Sequence, residues 1–276
     1  MADRRLDEVR GFFAELMFAA SGSSDPRLER AFDAIPREAF LGPGPWKMRF
    51  GGRYIQTPSN DPIYLYQNAL IALDEIQGIN NGEPFLHAAW LGAAAIGAGD
   101  AVTHIGAGTG YYSAMMFLLT LPGGHVTAIE INEDLAHKAA ENLAAFENVQ
   151  VLARDATKIA VPKSDVIYVN AGVLRPPVQW LEALNDNGRL IFPWAPAPGV
   201  GIAVRLTRRS GIFEAKPMGL VRFIPCTGAT DPGLAALTPD ALSARQLKSV
   251  HLTRNRAPDD SAIAIYDEIW FSNRSG

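Results

Sequence analysis

The sequence contains a single cysteine, Cys226, so no disulfide can form within the chain. Structural zinc sites built from four cysteines, or from two cysteines and two histidines, are excluded as well. The chain also lacks an excess of positive charge. Lys and Arg number 25 against 29 Asp and Glu, a net charge of −4. Nucleic acids and anionic membranes both select a basic footprint, so neither is an expected partner. Long apolar runs are missing too. The longest stretch without Asp, Glu, Lys or Arg, residues 101–129, is broken by Gly106, Gly108, Gly110, Pro122, Gly123 and Gly124. Its continuous apolar piece, residues 111–121, falls well short of the roughly 20 residues of a membrane span. Residues 84–99 are also uncharged, and also too short. Both read as buried helices. Residues 1–10 carry three acids and three arginines and no apolar core, unlike a signal peptide. The expectation is a soluble, cytoplasmic protein.

What is present suffices for a large core. The 276 residues are 48% hydrophobic and 20% charged, which fits one large α/β domain or a domain with a small appendage. Leu6, Val9, Phe13 and Leu16 mark one apolar helix face. Asp25 caps a second helix with Pro26 at its first position, and Leu28, Ala31, Phe32 and Ile35 form its face. Residues 41–63, dense in Gly and Pro, read as a long loop, and Tyr64 to Ile76 as a helix. From Pro84 onward helix and strand alternate. Helices are expected at 84–98, 111–121 and 132–146, and strands at 101–105, 125–129, 149–152, 165–169 and 188–192. This alternation predicts a doubly wound, mostly parallel sheet. Residues 201–206 and 220–224 read as a later antiparallel strand pair. A helix at 239–252 and a strand at 262–271 form a C-terminal extension.

The sharpest motif is His104-Ile105-Gly106-Ala107-Gly108-Thr109-Gly110-Tyr111, at a strand-to-helix turn. Glycines there let the backbone approach a ligand, and the following helix offers free N–H groups. A dinucleotide fingerprint places its last glycine one residue later, and a phosphate-cradling Walker loop needs Gly-Lys-Ser/Thr. The G-x-G-x-G spacing instead resembles the first motif of class I S-adenosylmethionine (SAM) methyltransferases, although a tight turn alone also uses such glycines. Glu130 stands at the next strand end, 24 residues after Gly106, where a carboxylate can accept from ribose hydroxyls. Ile131 follows it. Asp155-Ala156 stands after the third strand, where an acid can accept from an adenine amino group, and Asn170 stands after the fourth. Read singly, these are a helix-dipole partner, a loop acid and a strand-end turn residue.

Several segments together resemble the protein-L-isoaspartate O-methyltransferase family, over roughly residues 5–230. Ile35-Pro36-Arg37-Glu38-Ala39-Phe40 is similar to the family's V-P-R-E-x-F, Gly106–Tyr111 to G-x-G-S/T-G-Y, and Val126–Glu130 to V-x-x-I-E. Asn148–Asp155 is similar to N-V-x-V-x-x-G-D, with Arg154 for the glycine. Gly188–Pro193 is similar to G-G-R-L-V-x-P, and Val221–Pro225 to V-R-F-V-P. The resemblance implies a class I, Rossmann-like methyltransferase with SAM as cofactor. It implies Gly106, Gly108, Thr109, Gly110, Glu130, Ile131, Asp155, Ala156 and Asn170 as cofactor residues. Residues 1–83 would hold helices and the acceptor-side loop, 84–230 the SAM-binding core, and 231–276 an extension. Two departures stand out. His104 replaces the family's acid two residues before the first motif glycine. Gly82 replaces the serine of the family's Q-T-I-S-x-P loop.

The acceptor is therefore left open by the sequence. A carboxylate, with a reference pKa of about 4, is ionised at neutral pH and needs no base. Asn80 and Asn81 would orient it by amide donation on a peptide, protein or small molecule. A hydroxyl or amine acceptor would need a base, and His87 is the candidate. The Asn80-Asn81-Gly82 run is also an ordinary turn sequence, and His87 fits a core histidine. A catalytically silent SAM-binding protein and an NAD oxidoreductase are the readings from other classes; the glycine spacing disfavours the second.

Overall fold

The computed structural model describes residues 4–197, 200–230 and 235–276. The start of the charged N-terminal segment and residues 231–234, the beginning of the expected extension, lie outside the described residues. In chain order the elements are α1 (Arg4–Ser21), α2 (Pro26–Ala34), β1 (Lys47–Phe50), β2 (Arg53–Gln56), β3 (Leu70–Asp74), β4 (Ile79–Asn80), α3 (Pro84–Ala94), β5 (Ala101–Ile105), α4 (Tyr111–Thr120), β6 (His125–Glu130), α5 (Glu133–Asn142) and β7 (Val149–Ala153). There follow β8 (Ser164–Val169), α6 (Val178–Ala183), β9 (Leu184–Ala197), β10 (Val200–Arg209), β11 (Ile212–Leu220), β12 (Ala235–Leu237), α7 (Ala241–Ala244), β13 (Ser249–Leu252), β14 (Ala262–Tyr266) and β15 (Ile269–Ser272). Two compact units result. One comprises the chain up to Asp100 with Ala107–Ala153; the other comprises Ala101–Gly106 with the chain from Arg154 onward. No described helix is long and apolar enough to cross a membrane.

In the first unit, Asp25 caps α2 by accepting from the Arg27 N–H at 3.0 Å, and Pro26 begins the helix as the sequence predicts. Leu28, Ala31, Phe32 and Ile35 are all buried. The face of α1 differs by one position: Phe13 and Met17 are buried, whereas Leu16 is 40% exposed. The helix carries two adjacent apolar stripes. Edge-on contacts of Phe13 with Phe32 (6.2 Å) and Tyr66 (5.5 Å) select between them. β6 and β7 run parallel, with Val126 opposite Val149 and Glu130 opposite Ala153.

The first unit also corrects two expectations. Residues 41–63 are not simply a loop, because β1 and β2 pair antiparallel there and β3 joins β1. Residues 64–76 are not a helix. A short 3-10 turn, Pro62–Leu65, gives way to β3. Leu70–Leu73 is a continuous apolar run whose period does not distinguish helix from strand. Distant side chains decide it. Arg37 is fully buried, and its guanidinium donates to the carbonyls of Gln67 (3.0 Å) and Ala69 (3.3 Å). Asn81 Oδ1 accepts from the Ile71 N–H at 3.0 Å, and the Asn81 N–H donates to the Ile71 carbonyl at 3.0 Å. Backbone groups that a helix would bond internally are thus taken by tertiary partners.

In the second unit β8 pairs in parallel with β5 and β9, giving the parallel α/β part of the fold. Beyond β9 the ladders turn antiparallel, in the order β9-β10-β11-β13-β15-β14-β12. The later strand pair exists, but its second member is residues 212–220 rather than 220–224. Ser210 (φ 50°) and Gly211 (φ 86°) form a two-residue hairpin turn that brings Ile212 opposite Arg209. Residues 221–225 instead follow the chain beyond β8, where the Gly172 N–H donates to the Ile224 carbonyl at 2.8 Å. The expected 239–252 helix shrinks to α7, because Ser249–Leu252 is claimed by ladders with β11 and β15. The expected final strand is a hairpin, β14–β15.

Replacing Arg37 by Lys keeps the charge but loses the planar fork that serves two carbonyls. Arg37→Lys is expected to lower unfolding free energy by about 2 kcal/mol, since a buried acceptor without a partner costs about 1–3 kcal/mol. Urea denaturation checks this. A midpoint equal to that of the wild type would show that the clamp does not hold the β3 segment.

Candidate active site

The glycine loop is held within the first unit by backbone and carboxylate bonds. The Ala107 N–H donates to the Ile129 carbonyl at 3.2 Å, and the Gly110 N–H to the Ala107 carbonyl at 3.0 Å. Glu130, at the end of β6, uses both oxygens. Oε2 accepts from the Gly108 N–H at 2.8 Å and Oε1 from the Asn132 N–H at 3.0 Å. Asn132 in turn caps α5, accepting from the Leu135 N–H at 3.1 Å. Asn142 Nδ2 closes the far side by donating to the Thr109 carbonyl at 3.0 Å. Burial pushes the Glu130 carboxyl pKa up, and the N–H donors of Asn132, Gly108 and Ile131 partly offset this. Its neighbour Ile131 is 46% exposed.

Two of the loop glycines serve different needs. A Cβ on Gly110 would stand 2.7 Å from Leu143 Cδ1, so this glycine is demanded by packing against the end of α5. A Cβ on Gly108 would meet only Leu73 Cδ1, at 3.3 Å, a tight contact with the end of one side chain. Both have positive φ, 58° at Gly108 and 94° at Gly110. Gly110 also leaves α4 without a side-chain cap, so helix N–H groups remain for a ligand.

The Asn80-Asn81-Gly82 loop is joined to the same unit's glycine loop through β3. Asn80 pairs with Ala72 of β3, and Leu73, the next residue, is the neighbour of Gly108. Asn80 Oδ1 accepts from the Gly82 N–H at 3.0 Å, fixing the turn. Asn81 Oδ1 is committed to β3, as described above, which leaves Nδ2 as the donor on that side chain. His87, on α3, is fully buried and stacks on Tyr112 of α4 at 3.9 Å. A Cβ on Gly82, whose φ is 77°, would overlap the His87 ring at Nε2. The imidazole therefore fills the room that a side chain at residue 82 would take. Tyr112 at His87 and Leu73 at Gly108 carry no signal in the sequence; each is one apolar or aromatic residue in a run.

In the second unit Gly106 (φ 75°) lies beside Asn170, whose Cβ would be 3.5 Å from a Cβ on the glycine. Asn170 Nδ2 is 2.8 Å from Nε2 of the fully buried His104. Burial lowers the His104 pKa to about 3, so the ring is uncharged at neutral pH. Asn170 Oδ1 is buried without a partner. Asp155 Oδ1 accepts from the Thr157 amide (2.9 Å) and hydroxyl (2.7 Å), and Lys158 lies 3.1 Å from Oδ2. Burial works against the Asp155 carboxylate, but Thr157 and Lys158 outweigh it and hold its pKa below the ordinary value. The Ala156 carbonyl accepts from the indole N–H of the fully buried Trp180 at 3.0 Å, which anchors this strand end.

A model of the protein-L-isoaspartate(D-aspartate) O-methyltransferase family matches residues 19–231. The chain is 32% identical over 220 residues to the protein-L-isoaspartate O-methyltransferase of Rhodopseudomonas palustris (strain ATCC BAA-98 / CGA009), covering 78% of this chain and 91% of that protein. A solved protein-L-isoaspartate O-methyltransferase superposes with a TM-score of 0.67 at 21% identity, covering 94% of this chain and 86% of that one. A Plasmodium falciparum structure, described as a putative protein-L-isoaspartate O-methyltransferase in complex with S-adenosyl-L-homocysteine, gives a TM-score of 0.64 at 16% identity. It covers 79% of this chain and 98% of that one. The expected α/β methyltransferase fold is thus shared with these structures.

The buried His104 makes stability depend on pH. Below its ordinary value of 6.5 the unfolded chain binds a proton that the folded chain refuses until about pH 3. This contribution is therefore complete above 6.5 and is lost as the pH falls. By pH 5 it amounts to about 2 kcal/mol. His104→Gln should reduce the stability difference between pH 7 and pH 5 by that amount in urea titrations. An unchanged difference would mean that the ring is not held uncharged.

Proposed function

We propose, for a chain that belongs to the protein-L-isoaspartate O-methyltransferase family, SAM-dependent methylation of a carboxylate acceptor, an isoaspartyl or similar side chain on a peptide or protein. The observation that carries this reading lies within the first unit. β3 pairs with Asn80 and carries Leu73 to Gly108, and His87 under Gly82 stacks on Tyr112 at the start of α4. Acceptor-side and cofactor-side residues are thereby built onto one another.

The residues fit the cofactor. Gly108 has a positive φ and leaves no side chain between its backbone and a ligand, Glu130 stands at a strand end, and Asn170 carries a buried oxygen in need of a donor. Glu130 would accept from the ribose, Asp155 and Ala156 would hold the adenine, and Gly106, Gly108, Thr109 and Gly110 would line the methionine end, with Ile131 packing against the nucleoside. Bound SAM supplies an electrophilic methyl group on a sulfonium. The protein's task is then to hold a carboxylate oxygen in line with it and to exclude water. An ionised carboxylate needs no proton removed, so no base is required. Asn81 Nδ2, and Asn80 through the turn it fixes, orient the acceptor. His87, fully buried beneath Gly82, serves as support for that loop rather than as a base.

On the cofactor side, Glu130→Ala should weaken SAM binding about tenfold or more, since charge-assisted bonds contribute about 1.5–3 kcal/mol. Gly108→Val should abolish binding with the fold retained, because a branched side chain would press on Leu73, oppose the positive φ and occupy the backbone's approach to a ligand. Calorimetric titration decides both, and wild-type affinity in either variant would take that residue out of the site.

On the acceptor side, labelled methyl should pass from SAM to an isoaspartyl peptide as a base-labile ester. The rate should stay flat between about pH 6 and 8, well above the reference carboxylate pKa. Asn81→Ala should reduce turnover with SAM affinity unchanged. A rate that climbs through the histidine range would instead point to a hydroxyl or amine acceptor.

A further inference from the structure

Asn170 Oδ1 is buried without a hydrogen-bond partner. Asp155 Oδ2 is also buried without one, but the Lys158 ammonium lies 3.1 Å from it, whereas no cation among the described residues is paired with the Asn170 oxygen. The amide orientation of Asn170 is not free. Nδ2 faces Nε2 of His104 at 2.8 Å, and His104 is fully buried beneath it, edge-on to Tyr168 at 5.6 Å. With Nδ2 facing it, the uncharged imidazole pairs as the tautomer protonated at Nδ1, in which Nε2 accepts and Nδ2 donates. Because the amide is planar, Oδ1 is then turned to the other side. The Asn170 N–H is tied to the Ile105 carbonyl at 2.8 Å, which places the side chain against Gly106 at the head of the glycine loop.

A buried carbonyl oxygen in this position awaits a donor. SAM carries donors at three places. In the reading proposed above, the ribose hydroxyls would be taken by Glu130 and the adenine amino group by Asp155, which would leave the α-ammonium of the methionine end. We infer that His104 is a positioning residue that fixes the Asn170 amide, so that the Asn170 oxygen accepts from the α-ammonium of the cofactor. The methionine end would thus be read by an amide dipole where the resembling family places an acid two residues before the glycine. This inference rests on the SAM-dependent reading above. Only Asn170 would touch the cofactor, and His104 would act through it.

The test compares SAM and S-adenosylhomocysteine with 5′-methylthioadenosine, which lacks the amino-acid end, in calorimetric titrations. In Asn170→Leu and in His104→Leu, SAM and S-adenosylhomocysteine should bind about tenfold more weakly while methylthioadenosine binds as to the wild type. His104→Gln, whose side-chain oxygen can accept from Asn170 Nδ2, should restore SAM affinity to within a few-fold. The double leucine variant should be no worse than either single one. Equal weakening of all three probes, or SAM binding unchanged in Asn170→Leu, would overturn the inference; in the latter case the oxygen meets an internal water only. If the leucine variants no longer bind methylthioadenosine, Asn170→Ala and His104→Ala carry the same comparison without added bulk. A wild-type protein that binds none of the three probes would instead refute the SAM reading itself.

Discussion

The Glu130 carboxylate is the constraint on which the glycine-loop architecture depends. It ends β6, receives the Gly108 N–H on one oxygen and the Asn132 N–H on the other, and so joins the glycine loop to the start of α5. Burial opposes its charge, and the N–H donors compensate only in part. A group left in that state favours additional donors, such as the hydroxyls of a bound ribose. The same carboxylate therefore shapes the loop and prepares it for a ligand. Leu143 reinforces the arrangement by leaving no room for a side chain at Gly110.

A second constraint shapes the acceptor side. Arg37 and Asn81 take backbone groups of the β3 approach away from local helix formation, and the strand they create carries Leu73 to the glycine loop. With Gly82 in place of a side-chain-bearing residue, His87 sits under the turn and stacks on Tyr112. The loop's shape is thus set by a histidine that does not face solvent. An acceptor already ionised at neutral pH suits such a site, because alignment alone is asked of it.

Much of the cofactor side is legible in the sequence because its signals are local. Glycine spacing at a strand-to-helix turn, an acid at the next strand end, and Asp25-Pro26 at a helix start all express physics within a few residues. The hairpin at Ser210-Gly211 is local too, but the apolar run at 220–224 draws the strand assignment eight residues late. Leu70–Leu73 and Ser249–Leu252 escape for another reason. Their apolar runs suit helix or strand equally, and the choice comes from Arg37 and Asn81 in one case and from β11 and β15 in the other.

The sequence by itself determined the alternating α/β order, the glycine loop and the acids that follow it, since each depends on spacing along the chain. Only the tertiary structure decided which partners complete them. His104 acquires its meaning from Asn170, which lies on a different strand end and is brought within 2.8 Å by the parallel register of β5 and β8. Gly82 acquires its meaning from the imidazole of His87, whose place under the turn depends on a φ of 77° at the glycine. A histidine's neighbours fix whether it is a base, a support or a positioning group. Burial, which removes it from water and holds it uncharged, is a property of the folded core rather than of the chain.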